Sequence, residues 1–413
     1  AAVSPAQVAR LYVLGGCAEI PRASAAQMLR PLASIDIGAR IGSAAAKEAT
    51  EVRETGTAIH RKGSGAASAQ KLGRVAEFLN GTREFKSATQ YIAAEATGLP
   101  VLGEYDVVVV GGGTAGAPAG IGAARQGAKT LVIEYLYGLG GVGTLGMIGN
   151  YWYGNIVGFT AAHDRAVKDL GAAVHVQGKA EVWRRDNRTA GATLWMGCMG
   201  CGTLVDEQQR VRGVIVATPL GRGVVLAKSV IDATGNADVA AAAGAPCEFI
   251  TGGEIAVQGV GMSPRLLGAS YINSDYTFVN DSDAFDLWLF GIRGRAGAGR
   301  IWDVSQVVES RERRHIVGDY QLGTLDIVNQ RTFPDTIVQG TSDYDSHGYT
   351  IDDICYVSTP VESERTRYVA NMPYRAILPK TLEGLAVVGL GASAHRDALP
   401  IIRMQADLQN MGY

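Results

Sequence analysis

Residues 106–134 read Asp-Val-Val-Val-Val-Gly-Gly-Gly-Thr-Ala-Gly-Ala-Pro-Ala-Gly-Ile-Gly-Ala-Ala-Arg-Gln-Gly-Ala-Lys-Thr-Leu-Val-Ile-Glu, an order of residue types that few folds accept. The apolar run Val107–Val110 enters Gly111-x-Gly113-x-x-Gly116, and Gly120 follows. A small-residue stretch leads to a second apolar run, Thr130–Ile133, which ends on Glu134. This is the pattern of a βαβ unit that binds a dinucleotide. Gly111 makes the tight turn, Gly113 lets the backbone approach a pyrophosphate, and Gly116 and Gly120 let the helix pack on the sheet. The helix N-terminus presents N–H groups and a partial positive charge to phosphate. Glu134 stands where an acid accepts the hydroxyls of an unphosphorylated ribose, which favours FAD or NAD over NADP.

The chain has 413 residues, enough to bury a large core and to form two or three domains. A formal net charge of −2 makes no electrostatic case for nucleic acid or an anionic membrane surface. No apolar run reaches the length of a membrane span. The cysteines, Cys17, Cys198, Cys201, Cys247 and Cys355, are odd in number and sparse, unlike a disulfide framework. Cys198-x-x-Cys201 reads as a redox pair, as half of a metal site, or simply as two small residues in a glycine-rich β region. No second pair or histidine set completes a zinc site, so no metal is expected.

Residues 1–103 are Ala-rich and read as a helical extension of short pieces, with starts at Ser4-Pro5, Ser24–Arg30, Ser68–Leu79 and Ser87–Ala96. Glu51 to Gly65 is rich in glycine and charge, like an exposed connector. From Glu104 the pattern is α/β. A second glycine loop, Gly138-Leu-Gly140-Gly141-Val-Gly143-Thr144, follows the acid. A helix is expected around Ala161–Leu170, with strands at Ala173–Val176, Thr193–Met196, Gly213–Ala217, Val224–Ala227 and Lys228–Ala233. The turn Pro219–Gly223 makes part of this a β-meander arm. A last buried strand, Leu385–Val388, leads into Gly389-Leu-Gly391-Ala-Ser393-Ala394-His395 and a helix towards Met411. The expected layout is 1–103 helical extension, 104–245 dinucleotide domain, 246–372 inserted α+β substrate lobe, and 373–413 the end of the dinucleotide domain.

The opening unit, the Gly-Gly loop, Val230-Ile-Asp-Ala-Thr-Gly235 and Leu-Ala-Val-Val-Gly389 together resemble flavoproteins of the glutathione-reductase structural class. More narrowly, residues 104–413 are similar to the family called FAD-dependent oxidoreductase. This match rests on Ile231–Val239, Glu309–Tyr320, Met372–Pro379 and Gly391–Arg403. The resemblance implies a Rossmann-like FAD-binding domain and makes FAD, not NAD, the cofactor. It implies that Gly111, Gly113, Thr114, Ala115 and Gly116 cradle the pyrophosphate and that Glu134 holds the ribose. Gly140, Gly141 and Thr144 then line the loop beside pyrophosphate and ring, Gly235 allows close passage, and Ser393, Ala394 and His395 approach the ring. In relatives the helix after this last motif runs on into more protein. Here the chain reads to Met411-Gly-Tyr413 and begins Ala-Ala-Val, so a processed chain completed by a second polypeptide, within an oligomer, is the expectation.

A flavin asks little of the protein: a proton-handling group, donors at the ring and a shaped pocket. His395 is the first choice for the base, since a histidine titrates near neutrality. It competes with a histidine that only packs against the cofactor. His347 and Tyr320 are further catalytic candidates; Arg314 and Arg375 are candidates to hold a small-molecule substrate. The Arg311/Arg313/Arg314 cluster reads equally as ion pairs with Glu309, Glu312 and Asp319 within one helix. His163, His175 and His315 read as surface or satisfied core residues. The expected function is removal of hydride from a small organic substrate to the flavin. A flavin monooxygenase, an ene-type reductase and a non-catalytic flavoprotein subunit stand as alternatives. No nucleic acid or membrane span is expected. The protein reads as soluble, cytoplasmic or exported after processing.

Overall fold

The computed structural model of the chain describes residues 3–5, 8–52, 71–77, 98–146, 148–250, 314–345 and 367–413, with short pieces at 257–260, 273–276, 283–286, 288–289, 292 and 308–309. The expected helix at Ser87–Ala96 lies outside them. The chain divides into two compact units, Ala1–Ser64 and Gly65–Tyr413. The first contains α1 (Arg22–Met28) and α2 (Pro31–Glu51). Pro31 opens α2 at a position where its missing N–H costs nothing. Neither helix has a buried residue, and the Tyr12 hydroxyl donates to Glu48 at 2.6 Å. The stretch after Ser4-Pro5 forms turns among its described residues rather than the expected helix. Within 68–79, residues Arg74–Glu77 form a strand, β1, not a helix. An alternating strand can satisfy its backbone on a sheet edge, and β1 does so antiparallel to β5 (Met199–Val205).

The second unit is built on an eight-stranded sheet. β2 (Val101–Val110) runs into α3 (Gly116–Arg125) and then β3 (Thr130–Glu134), parallel to β2 in the register Val107–Thr130 to Val110–Ile133. Two helices follow, α4 (Gly158–Leu170) and α5 (His175–Ala190). β4 (Thr193–Met196) then joins the far side of β3. The strand expected at Ala173–Val176 is therefore absent. Residues from His175 turn helical because the pairs Gly178/Val182 and Lys179/Trp183 stand four apart and are buried on one face.

The meander is β5, β6 (Val211–Thr218) and β7 (Gly221–Asp232), antiparallel in sequence order. The two strands expected at 224–227 and 228–233 are one strand. The first half of β7 pairs with β6; its last residues, Val230–Asp232, pair instead with β15 (Leu385–Val387), in parallel. β2 lies parallel to β7 on the other side, up to Val110–Asp232. One long strand thus carries both the arm and the parallel sheet, and it delivers the Thr234-Gly235 turn beside the end of β2.

Alternate residues of the parallel strands feed two cores. Val109 and Val132 pack with Ala117, Ile121 and Trp183 on one face. Val108, Val110, Leu131 and Ile133 pack with the meander valines on the other. A strand buried on both faces reads as a continuous apolar run, as Val107–Val110 does.

Beyond β7 come α6 (Asp238–Ala243) and β8 (Cys247–Phe249). β9 (Val257–Val260), β10 (Asn273–Tyr276) and β11 (Val308–Glu309) form a small separate sheet. β12 (Arg314–Ile316) pairs with β8. α7 (Thr324–Val328), then β13 (Thr336–Ser342) paired with β14 (Tyr368–Pro373), lead to β15. The chain finishes with α8 (Leu399–Ile402) and α9 (Gln405–Gly412). A Cβ on Gly412 would sit 2.0 Å from the Ala115 carbonyl oxygen, so a glycine there lets α9 close on the start of α3. Phe159 and Tyr413 stack at 4.3 Å. Among the described residues, no helix is long and apolar enough to cross a membrane.

Candidate functional site

At the end of β2 the glycines do different work. A Cβ on Gly116 would lie 1.8 Å from the Gly111 carbonyl oxygen, so only glycine lets α3 start so close to the strand. A Cβ on Gly113 would meet nothing nearer than Gly141 Cα at 3.9 Å, so the space in front of it is open. The second glycine loop is tied to the first. Gly140 N–H donates to the Gly112 carbonyl at 2.8 Å and the Thr114 hydroxyl to the Gly140 carbonyl at 3.4 Å. The Thr144 hydroxyl donates to the Leu139 carbonyl at 2.6 Å and closes the loop.

Where the loops face each other, the N–H groups of Gly113, Thr114, Ala115, Gly116, Gly141 and Val142 have no acceptor among the described residues. Partly buried N–H groups without partners, at the positive end of α3, form an anion cradle. The cradle fits a pyrophosphate: Gly113 leaves room for it, and the donors would otherwise remain unsatisfied.

Glu134 closes the floor of this site. Its carboxylate accepts Gly112 N–H at 2.7 Å on one oxygen and Leu136 N–H at 2.8 Å on the other. Burial raises its pKa, and those donors work against the rise. Asp232, fully buried at the end of β7, organises the third edge. It accepts Thr234 N–H and hydroxyl on one oxygen, at 3.1 and 2.7 Å, and Ala240 N–H on the other at 2.9 Å. Burial also raises its pKa. The turn it holds presents Gly235, at φ 76°, with open space where a Cβ would be.

The last loop reaches the same place. A Cβ on Gly389 would stand 3.4 Å from Ala115 Cβ. Ser393 and Ala394 are wholly buried, and the Ser393 hydroxyl accepts Gly318 N–H at 3.0 Å. His395 is half-buried; its N–H donates to the Leu322 carbonyl at 2.8 Å. Asp397 N–H donates to His395 Nδ1 at 3.3 Å, which puts the neutral ring's proton on Nε2.

The other expected residues have side-chain partners of their own. The Tyr320 hydroxyl donates to the Asp326 carboxylate, at 2.9 and 2.8 Å to its two oxygens, and accepts from Arg331 at 3.0 Å. Burial and Asp326 raise its pKa. Arg375 forks onto Asp335, at 2.9 and 3.2 Å, and its guanidinium covers the Tyr320 ring at 5.2 Å. Arg314 is on strand β12 rather than on the expected helix, is buried, and donates to Asp238 at 3.2 Å. His347, Arg311, Glu312 and Arg313 lie outside the described residues.

Two buried groups went unnoticed in the sequence, and a third, His163, is not the surface or satisfied core residue expected there. Lys179 and Asp407 are charged residues on buried helix faces, at i, i+4 from Trp183 and Met411, and that misplacement is the signal that could have found them. His163 is buried, its two ring nitrogens have no partner among the described residues, and it stacks on Trp183 at 3.7 Å. Cys17, Cys198, Cys201 and Cys247 are free thiols, and burial raises the pKa of Cys201 and of Cys247, the latter to about 11.

A family model described as FAD dependent oxidoreductase matches residues 106–266 and 287–413. No curated protein matches the chain by sequence. Among solved structures it is similar to THI4 from Thermovibrio ammonificans, at 23% identity over 34% of this chain and 61% of that one, with a TM-score of 0.27. It is also similar to a geranylgeranyl bacteriochlorophyll reductase-like protein from Thermoplasma acidophilum, at 16% identity, 74% and 75% coverage and a TM-score of 0.38. A third is p-nitrophenol 4-monooxygenase from Pseudomonas putida, at 17% identity, 38% and 48% coverage and a TM-score of 0.28. The chain spans about three fifths of the length of the first of these and about half of the third.

Proposed function

The chain belongs to the FAD-dependent oxidoreductase family, and from that premise we propose that it takes hydride from a small organic substrate to FAD bound across the three glycine-bearing strand ends. The observation that carries this is the cradle: N–H groups from two loops, unpaired among the described residues, around the open face of Gly113. The residues implied by the resemblance divide by task. Gly113 to Gly116, with Gly141, hold the pyrophosphate through backbone donors. Glu134 sits beneath Gly112 with lone pairs left for ribose hydroxyls. Thr144 and Asp232 shape their loops, and Gly235 and Gly389 leave room along the cofactor. When bound, the flavin supplies two-electron chemistry, and the protein supplies orientation and proton handling.

His395 is the proton-handling residue in this reading. To act as a base, its ring has to accept at Nε2, with the resident proton moved to Nδ1 and the Asp397 contact given up. The Asp397 N–H on Nδ1 favours a second reading, in which His395 donates from Nε2 and the reaction runs as reduction of a polarised double bond.

Anaerobic mixing of the FAD-loaded protein with candidate reductants, and of the reduced protein with candidate enones, separates the two directions. In the productive direction His395→Ala slows flavin turnover by about 10²–10⁴-fold, the range of a lost acid or base, and leaves FAD bound. Unaltered rates in His395→Ala would remove the residue from the chemistry. A flavin that no metabolite reduces or reoxidises would make the cofactor structural.

A further inference from the structure

Lys179 is a charged side chain where charge is costly. It lies on α5 and is 1% exposed. Lysines this buried are ordinarily paired with an acid. Here Nζ donates to one neutral acceptor, the Gly149 carbonyl at 3.0 Å, and stands 4.3 Å from the centre of the Tyr151 ring. Among the described residues, no carboxylate makes an ion pair with it. The charged and titratable groups around it are Asp164 and His163 on α4, His175 on its own helix, and Tyr151 on the preceding loop. Asp164 accepts the Tyr151 hydroxyl at 2.8 Å. His163 is neutral at physiological pH, because burial, Lys179 and His175 hold its pKa at about 3. Burial lowers Lys179 to about 8, with Asp164 pulling the other way.

The position of this ammonium group gives it meaning. A Cβ on Gly143 would lie 3.7 Å from Lys179 Nζ and 2.4 Å from Gln405 Oε1. Gly143 belongs to the second glycine loop, so Lys179 and Gln405 back onto the cradle. Gln405 donates its amide to the Ile148 carbonyl at 2.9 Å, and its buried Oε1 has no donor among the described residues. In the cradle itself, Gly113–Gly116 and Gly140–Thr144 bring no charged side chain, whereas a dinucleotide pyrophosphate brings negative charge.

We propose that Lys179 is the buried counter-charge for the cofactor's pyrophosphate, acting from beneath the Gly140–Thr144 loop and not by direct contact. This rests on the placement of the pyrophosphate at the cradle. Lys179 is thus a positioning residue. A charge desolvated in the free protein gains its compensation only when FAD binds, so FAD binding and the proton on Lys179 are linked. Below pH 8 the lysine is charged with or without FAD, and affinity does not vary with pH. Above pH 8 binding has to take up the missing proton, and affinity falls.

The test is the dissociation constant of FAD from the full chain, read by flavin fluorescence on dilution between pH 6.5 and pH 9.5. Wild type is expected to be flat to about pH 8 and then to weaken by up to about tenfold per pH unit, the slope for one proton. Lys179→Gln is expected to bind about tenfold more weakly at pH 7, with no dependence on pH, and to approach wild type at pH 9.5. Lys179→Arg, charged throughout, is expected to keep wild-type affinity without the fall. A flat wild-type profile overturns the proposal. So does a Lys179→Gln protein that binds as wild type at pH 7, or one whose deficit is undiminished at pH 9.5, the mark of a packing defect. Gly113→Val run beside these separates the two readings. If it retains FAD, the cradle placement itself fails; if it loses FAD while Lys179→Gln is unaltered, only the counter-charge fails.

Discussion

Gly113 and Gly116 lie three residues apart in one motif, yet alanine at each is expected to fail in opposite ways. At Gly116 the new Cβ would fall 1.8 Å from the Gly111 carbonyl oxygen and 2.9 Å from Ala233 Cβ. Carbon–oxygen contacts settle near about 3.3 Å, so about 1.5 Å must open between two pieces of backbone. Overpacking of that kind costs about 1–3 kcal/mol, sometimes more. The parts that move also carry the Gly111 N–H bond to the Ile133 carbonyl and the Ala117 N–H bond to the Gly113 carbonyl, at 2.8 and 3.0 Å. Each is worth about 1 kcal/mol, which brings the total to about 3–5 kcal/mol. For a unit of this size, that lowers Tm by about 4–7 °C. At Gly113 the Cβ meets only Gly141 Cα at 3.9 Å, an ordinary contact. Stability there should hold, or rise by about 0.4–1 kcal/mol from the stiffer unfolded chain. The methyl group, however, occupies the open face of the cradle, and FAD affinity is expected to fall by at least about tenfold, or 1.4 kcal/mol. Thermal unfolding of the FAD-free proteins, with FAD titrations of each, measures both quantities. A Gly113→Ala protein that is destabilised, or that binds FAD as wild type does, would refute the division of labour; so would a Gly116→Ala protein of unchanged Tm.

Two further outcomes concern stability. Asp407 accepts Asn155 N–H at 2.7 Å and Thr341 N–H at 2.9 Å, and burial raises its pKa to about 6 from 3.8. Because the folded pKa lies above the unfolded one, its contribution is fully present below about pH 4 and is lost as pH rises through 6, about 3 kcal/mol in all. Urea unfolding of Asp407→Asn should lack this decline between pH 4 and 6, and an unchanged slope would assign it to another group. Arg314→Met removes the ion pair to Asp238, which is about one-third exposed and also accepts the Asn236 amide at 2.8 Å. The expected loss is about 1–2 kcal/mol, below the 3–5 of a fully buried pair, with FAD binding retained. Unchanged stability with weakened substrate binding would instead return Arg314 to the substrate site.

The dinucleotide unit was legible because each of its jobs is done within a short stretch of chain. A turn at Gly111, a close approach at Gly116 and a two-sided strand at Val107–Val110 leave marks in residue type alone. The same holds for the second glycine loop, the meander and β15. What tertiary structure decided were partners far apart in sequence. Val224–Ala227 and Lys228–Ala233 look like two strands until the register of β2 against β7 makes them one. Arg314 and Arg375 stand out in the sequence by their chemistry, but their ion pairs with Asp238 and Asp335 join residues that only the fold brings together. Ser393 lies in the expected loop, yet its hydroxyl serves Gly318. Lys179 and Asp407 looked like ordinary charges on short helices. Only the packing of α5 beneath Gly143, and of α9 against Asn155 and Thr341, removed them from water, and it is desolvation rather than residue type that gives a charge its leverage.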